Sequence, residues 1–289
     1  MIKKNKTNIA IAGYGHLGSK LVAWLKRHGQ GTNILYVVEP DNKKHQILIK
    51  DGLKTYRTIN SVPKELILNT RVIVDCSTKG QGAINKISYK KLGLSAIFQN
   101  GEDIKIGHLY YPGISSSQET HPYVRIPCCS AMSVLRILLA MKKAKLPTPT
   151  KVIGYHNKTS NDSRMITINY VSGKEVQKLT NIKTTMNRIY LRGVQYNHEY
   201  VYEGNIDIRL AQKPNITKAM NALAAGQDIS MVDQNIDTTD FSRTSNTLII
   251  KESILADHNI LHIAFLSLPP EIDFPANLSA IKYMSKSKL

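Results

Sequence analysis

Asn8-Ile9-Ala10-Ile11-Ala12 runs directly into Gly13-Tyr14-Gly15-His16-Leu17-Gly18, and the reading of this stretch decides the fold. The apolar run is too short for a buried helix and reads as a buried strand. A helical pattern begins at once, with Leu21, Val22, Trp24 and Leu25 apolar and Lys20, Lys26 and Arg27 polar. His28-Gly29 supplies a basic last turn and a glycine stop. A second apolar run, Ile34-Leu35-Tyr36-Val37-Val38, ends at Glu39. A G-x-G-x-x-G placed between strand and helix, with an acid about 20 positions on, is the arrangement a dinucleotide requires. Gly13 permits the tight turn, Gly15 lets a pyrophosphate approach the backbone, and Gly18 lets the helix pack on the sheet. The pyrophosphate is expected on the helix N-terminus, where free N–H groups and the dipole favour anions. Gly13, Tyr14, Gly15, His16, Leu17 and Gly18 are therefore candidate cofactor residues. Glu39 is a candidate acceptor for a ribose 2′-OH, which favours NAD, while Lys43 and Lys44 could meet a 2′-phosphate and keep NADP open.

The parallel-sheet pattern continues along the chain. Arg71-Val72-Ile73-Val74-Asp75-Cys76 reads as a buried strand with Ser77-Thr78-Lys79-Gly80 as the loop at its carboxyl end. A helix is expected over 83–92, then a strand at Ser95-Ala96-Ile97-Phe98 that ends at Gln99-Asn100-Gly101-Glu102. Ligands of such sheets lie beyond the carboxyl ends of the strands, so Ser77, Thr78 and Gly101 join the candidate cofactor residues. Cys76, at a buried strand end, reads as core packing.

The chemistry is expected at Cys129. Val124-Arg125-Ile126 is broken by Pro127, and Cys128-Cys129-Ser130 then opens a helix over about 131–145. Val134, Leu135, Leu138, Leu139 and Met141 make its buried stripe, and Lys142, Lys143 and Lys145 complement its C-terminal end. A cysteine in the first turn of a helix has its thiolate favoured by the dipole and by free N–H groups. The same N–H groups can hold the oxyanion formed when the sulfur attacks a carbonyl. The bland alternative is a pair of small buried cysteines behind a helix start.

Length and composition bound the rest. The 289 residues favour two domains, and 42% hydrophobic with 21% charged content is that of a soluble globular protein. No apolar run reaches the roughly 18 residues of a membrane span, and the basic start lacks a cleavable leader pattern. Three cysteines, two of them adjacent, do not make a disulfide framework. The chain is thus expected to be reduced and cytoplasmic. The net charge of +18 raises an acidic ligand or nucleic acid as a secondary expectation. The positive residues are mostly scattered lysines, with neither zinc-finger spacing nor an arginine stripe, and no metal is expected.

Taken together, these motifs resemble the archaeal-type (type II) glyceraldehyde-3-phosphate dehydrogenases. The glycine loop, Val74-Asp75-Cys76-Ser77-Thr78-Lys79-Gly80 and Ala96-Ile97-Phe98-Gln99-Asn100-Gly101-Glu102 match three loops of that family in order. Cys129 falls at the family's catalytic cysteine and Arg136 at an arginine of the helix behind it. Phe241-Ser242-Arg243, Lys251-Glu252-Ser253-Ile254 and Phe274-Pro275-Ala276-Asn277 recur near the C-terminus. The resemblance implies an α/β chain: a Rossmann-like doubly wound parallel sheet over 1–128 plus a C-terminal helix within 270–289, and an α+β catalytic domain with an antiparallel sheet over 129–269. Lys151-Val152-Ile153-Gly154-Tyr155, Met165-Ile166-Thr167-Ile168-Asn169-Tyr170 and Tyr200-Val201-Tyr202-Glu203 alternate as its strands should.

The resemblance also implies roles: Cys129 as nucleophile, His198 as the base that activates it, Asn277 on the cofactor, NAD or NADP as that cofactor, an aldehyde or acyl phosphate as substrate, and a homo-oligomer (tetramer or dimer). The departures bear on substrate. Ser130, Ala131 and Met132 stand where the family carries Asn and Thr, and Tyr155 and His156 replace paired arginines. Bidentate guanidinium recognition of phosphate is lost with them, so glyceraldehyde 3-phosphate itself is not the expected substrate. An NAD(P)-dependent aldehyde oxidoreductase is the leading expectation. The alternative is a catalytically degenerate relative that binds an acidic partner such as nucleic acid.

Overall fold

A computed structural model describes residues 6–99, 101–115, 121–159, 166–167, 171–191, 202–233, 244–269 and 271–286. The chain divides into two compact units, Met1–Ile126 with Phe274–Leu289, and Pro127–Asp273.

The first unit is a seven-stranded parallel sheet. Its strands are β1 (Thr7–Ala12), β2 (Thr32–Val38), β3 (Thr55–Tyr56), β4 (Val72–Asp75), β5 (Ala96–Phe98), β6 (His108–Leu109) and β7 (Tyr123–Arg125), in the order β3-β2-β1-β4-β5-β7-β6. The chain steps outward from β1 to β3, then returns to lay β4 on the other side of β1. That reversal makes the carboxyl ends of β1 and β4 the switch point where a ligand crevice opens. Ile9, Ile11, Ile73, Ile97 and Phe98 are fully buried, as a sheet covered on both faces demands. Helices α1 (His16–His28), α2 (Asn42–Lys50), α3 (Lys64–Asn69) and α4 (Gln81–Lys91) connect the strands. The last helix, α8 (Phe274–Ser285), packs on α1, β1, β4 and β5, with the Phe274 ring 5.7 Å from that of Trp24. Basic residues fill the last turns of α1 and α4 (Lys26, Arg27 and His28; Lys90 and Lys91), which gives part of the net positive charge a place against the helix dipoles.

The second unit carries an eight-stranded mixed sheet. Its strands are β8 (Pro149–Thr159), β9 (Ile166–Thr167), β10 (Lys183–Leu191), β11 (Tyr202–Leu210), β12 (Ile229–Val232), β13 (Thr247–Ile250), β14 (Leu255–Asp257) and β15 (Ile260–Ser267). Most pairings are antiparallel, as expected; β8 with β10 and β12 with β13 are parallel. The parallel β8–β10 pair needs a crossover, and α6 (Val171–Thr180), which the sequence reading did not anticipate, provides it. Strict alternation buries Val152, Gly154, Met186, Gly204, Ile206, Ile208, Leu261, Ile263 and Phe265 on one face. Gly204 is required there, because a Cβ would stand 2.3 Å from the Phe265 ring. Helix α5 (Cys129–Lys143) packs against α6, α7 (Ile216–Ala224) and β15 and is buried along most of its length.

Candidate functional site

In the first unit the expected cofactor residues gather along the carboxyl edge of the parallel sheet. Gly13 takes φ of +86°, and a Cβ there would lie 2.9 Å from the backbone of Cys76 and Ser77 at the end of β4. A Cβ on Gly18 would lie 2.0 Å from the Gly13 carbonyl oxygen, so only glycine lets α1 start against the loop. A Cβ on Gly15 would meet nothing within 4 Å, which leaves open space above the N-cap of α1. No side chain caps α1 and no acid stands in its first turn. Leu17 packs into the core and His16 is exposed. These features fit a dinucleotide pyrophosphate: a cradle a side chain would fill, at the uncapped end of a 13-residue helix.

Glu39, at the end of β2, is almost fully buried. Its Oε2 accepts the Tyr14 N–H at 2.6 Å and its Oε1 the Asp41 N–H at 3.0 Å, so the acid ties the glycine loop to the start of α2. Asp41 caps α2 by accepting the Lys44 N–H. The Tyr14 hydroxyl meets Asp51 at the other end of α2, and burial with that negative neighbour raises its pKa.

The loop after β4 is held from below. Buried Asp75 accepts the N–H and hydroxyl of Ser77, the Asn85 amide and the Tyr89 hydroxyl. Burial and the Asp75 charge push the Tyr89 phenol well above its ordinary value. Ser77 is thus oriented by Asp75, while Thr78 is exposed. Glu102 accepts the Gly80 and Gly82 N–H groups at 2.7 and 3.0 Å and caps α4, and buried Arg125 donates to the Glu102 carbonyl. Gly101 takes φ of +76°. Asn277 of α8 is fully buried and donates to Gln99, which in turn donates to the Cys76 sulfur at 3.5 Å, so Cys76 is a packed core thiol. Asn100 lies outside the described residues.

In the second unit Cys128 is the N-cap of α5 and Cys129 its first helical residue. Ser130, Ala131 and Met132 are buried behind them, whereas Cys128 and Cys129 both retain partial exposure. The two thiols are not equivalent. Burial pushes the Cys128 thiol well above its ordinary value, and the negative field of the Glu175 carboxylate adds to the rise; the Ala131 N–H facing the sulfur offsets only part of it. Cys128 is therefore held as a neutral thiol, which leaves Cys129 as the candidate nucleophile. Helix α5 is anchored from behind by buried Arg136, which donates to the carbonyls of Ser245 at 2.7 Å and Ile272 at 2.9 Å. His198 and the 241–243 segment lie outside the described residues.

Glu175 was not singled out from the sequence. It sits on α6, fully buried, and its Oε2 accepts the Cys128 N–H at 2.9 Å. In Val171-Ser172-Gly173-Lys174-Glu175-Val176 a lone carboxylate beside a lysine reads as a solvated helix face. The available signal was Gly173, which lets α6 approach β10 so closely that a Cβ would stand 2.9 Å from the Met186 nitrogen.

The chain is similar to archaeal glyceraldehyde-3-phosphate dehydrogenases. The enzyme of Sulfurisphaera tokodaii is 24% identical over 153 residues, 48% of this chain and 45% of that protein. The enzyme of Archaeoglobus fulgidus is 26% identical over 159 residues, again 45% of its length. These matches thus span less than half of the relatives concerned. A longer alignment, to the enzyme of Metallosphaera sedula, covers 96% of this chain and 92% of that protein at 20% identity. No family model matches. The fold is shared with aspartate semialdehyde dehydrogenase II of Vibrio cholerae, whose crystal structure complexed with ASA superposes with a TM-score of 0.74 over 97% of this chain and 98% of that one, at 13% identity. Among the described residues no helix is long and apolar enough to cross a membrane, and no group of His, Cys, Asp and Glu is arranged to hold a metal ion.

Proposed function

We propose that the chain is an NAD(P)-dependent aldehyde oxidoreductase that works through a covalent thioester on Cys129. The observation that carries this reading is the start of α5, where both thiols keep partial exposure but Cys128 stands in the field of the buried Glu175 carboxylate, which helps hold it protonated, while Cys129 occupies the first helical position. The Cys129 sulfur attacks an aldehyde carbon, and first-turn N–H groups of α5 receive the oxyanion. His198 is proposed as the base that takes the thiol proton. The nicotinamide, when bound, accepts the hydride. Gly13, Gly15 and Gly18 hold the pyrophosphate at α1, Ser77, Thr78 and Gly101 flank the cofactor from the ends of β4 and β5, and Asn277 of α8 supports that side of the site through its hydrogen bond to Gln99. Glu39 and Asp41 place two carboxylates at the end of β2, which favours a free ribose and NAD over a 2′-phosphate and NADP. With Tyr155 and His156 in place of an arginine pair, the aldehyde is proposed to carry no phosphate. The active form is proposed to be a dimer or tetramer.

A thermal-shift titration with NAD(H) and NADP(H), on wild type and Gly15→Trp, tests the cofactor half. A saturable shift with NAD(H), lost in the variant, is expected; no shift with any dinucleotide overturns the reading. For the chemical half, Cys129→Ala should keep the shift and lose aldehyde-dependent turnover.

A further inference from the structure

Phosphate binds a helix N-terminus through free N–H groups, hydroxyl donors and the absence of competing negative charge. The start of α5 offers few of these. The Cys128 N–H is taken by the Glu175 carboxylate at 2.9 Å, and that carboxylate is fully buried one residue before the nucleophile. Ala131 and Met132 are fully buried and carry no donor in their side chains. Ser130 contributes a single, buried hydroxyl. One hydroxyl can orient a water molecule; it cannot enclose a phosphate dianion beside a carboxylate. A second negative charge brought up to a buried carboxylate is repelled more strongly than it would be in bulk water.

We infer that the Cys129 acyl group is transferred to water and not to inorganic phosphate, with Glu175 as the residue that excludes the anion. This rests on the reading of Cys129 as the nucleophile. The steps balance as follows. The Cys129 Sγ–C bond forms to the aldehyde carbon, the carbon loses hydride to the oxidised nicotinamide, and the hydroxyl proton leaves, giving the thioester. The oxygen of water then adds to the thioester carbon, the C–S bond breaks, and the sulfur returns as the thiol. One aldehyde, one oxidised nicotinamide and one water give one carboxylate, one reduced nicotinamide and two protons. The product is a carboxylate, and an acyl phosphate is neither made nor consumed.

The inference can be tested without dinucleotide, because p-nitrophenyl acetate can acetylate a nucleophilic cysteine directly. Intact-protein mass spectrometry would follow formation and loss of the acetyl group on wild type, Cys129→Ala and Glu175→Gln, with and without phosphate at matched ionic strength. The expected result is a Cys129-dependent adduct whose loss is indifferent to phosphate in wild type. In Glu175→Gln, which keeps an oxygen acceptor for the Cys128 N–H, loss of the adduct should be accelerated by phosphate about tenfold, the factor given by relieving roughly 1.4 kcal/mol of repulsion. Phosphate-accelerated loss with release of acetyl phosphate from wild type would overturn the inference and leave Cys129 as nucleophile. A Glu175→Gln protein as indifferent as wild type would remove Glu175 from the explanation. Absence of an adduct, or an adduct that survives in Cys129→Ala, would instead strike the reading of Cys129 itself.

Discussion

The Tyr14 N–H donates to Glu39 Oε2 at 2.6 Å, which fixes the second residue of the glycine loop to the acid at the end of β2. Glu39 also accepts the Asp41 N–H, so a single buried carboxylate sets the loop and the entry to α2 together. Glu39→Ala leaves two backbone donors without their acceptor and should cost about 1–3 kcal/mol in denaturant unfolding. It should also narrow the preference for NAD over NADP in parallel titrations, because one of the two carboxylates proposed to disfavour a 2′-phosphate is gone. A variant as stable as wild type would show that the contact carries no structural weight.

The three loop glycines should separate fold from binding. Gly18→Ala forces a contact of 2.0 Å with backbone, and Gly13→Ala adds strain at φ of +86°, so both should lower the melting temperature. Gly15→Ala meets nothing within 4 Å and should melt as wild type does, while its dinucleotide Kd rises about tenfold or more. Calorimetric titration beside thermal melts checks both halves; a destabilised Gly15→Ala would contradict the open cradle.

Alkylation should discriminate among the cysteines. Iodoacetamide at neutral pH is expected to label Cys129 first, Cys128 more slowly because its raised pKa keeps it a neutral thiol, and buried Cys76 beneath Gln99 only when the chain unfolds. Peptide mass spectrometry reads the order directly, and equal labelling of Cys128 would contradict the assignment of the nucleophile.

Cys128 should also mark the alkaline limit of stability. Its folded pKa is raised above the ordinary 9.0, so between the unfolded and folded values the unfolded chain releases a proton that the folded chain keeps. The contribution is complete below about pH 9 and is lost as pH rises through the folded value. Tyr89 adds a similar loss beginning near its own ordinary 10.0. Unfolding free energy should therefore fall from pH 9 upward, and Cys128→Ser should flatten the first part of that fall. A profile identical to wild type would contradict the raised pKa of the Cys128 thiol.

How much of this was legible in the sequence follows from the range of the contacts involved. The β1–loop–α1 unit, the strand ends at Ser77 and Gly101 and the helix opening at Cys129 are local patterns, in which period, glycine spacing and a helix start state their own reasons. The buried acids were not legible. Glu175 reaches Cys128 across 47 positions, and Glu102 reaches Gly80 across 22; each looks like a surface residue until the chain is folded around it. The same holds for Asp75, whose place at a strand end was readable but whose links to Ser77, Asn85 and Tyr89 were not. Helix α6 was missed for a related reason, since Ser172, Gly173 and Glu175 are buried polar or small residues that blur its apolar stripe.

The most direct test is a rapid-quench experiment with NAD and a panel of short unphosphorylated aldehydes, read by intact mass and by reduced nicotinamide. The account predicts an adduct on Cys129 with the mass of the aldehyde less two hydrogens, forming in step with one equivalent of reduced nicotinamide and absent from Cys129→Ala. Reduced nicotinamide formed equally well by Cys129→Ala, or NAD bound without any adduct across the panel, would contradict it.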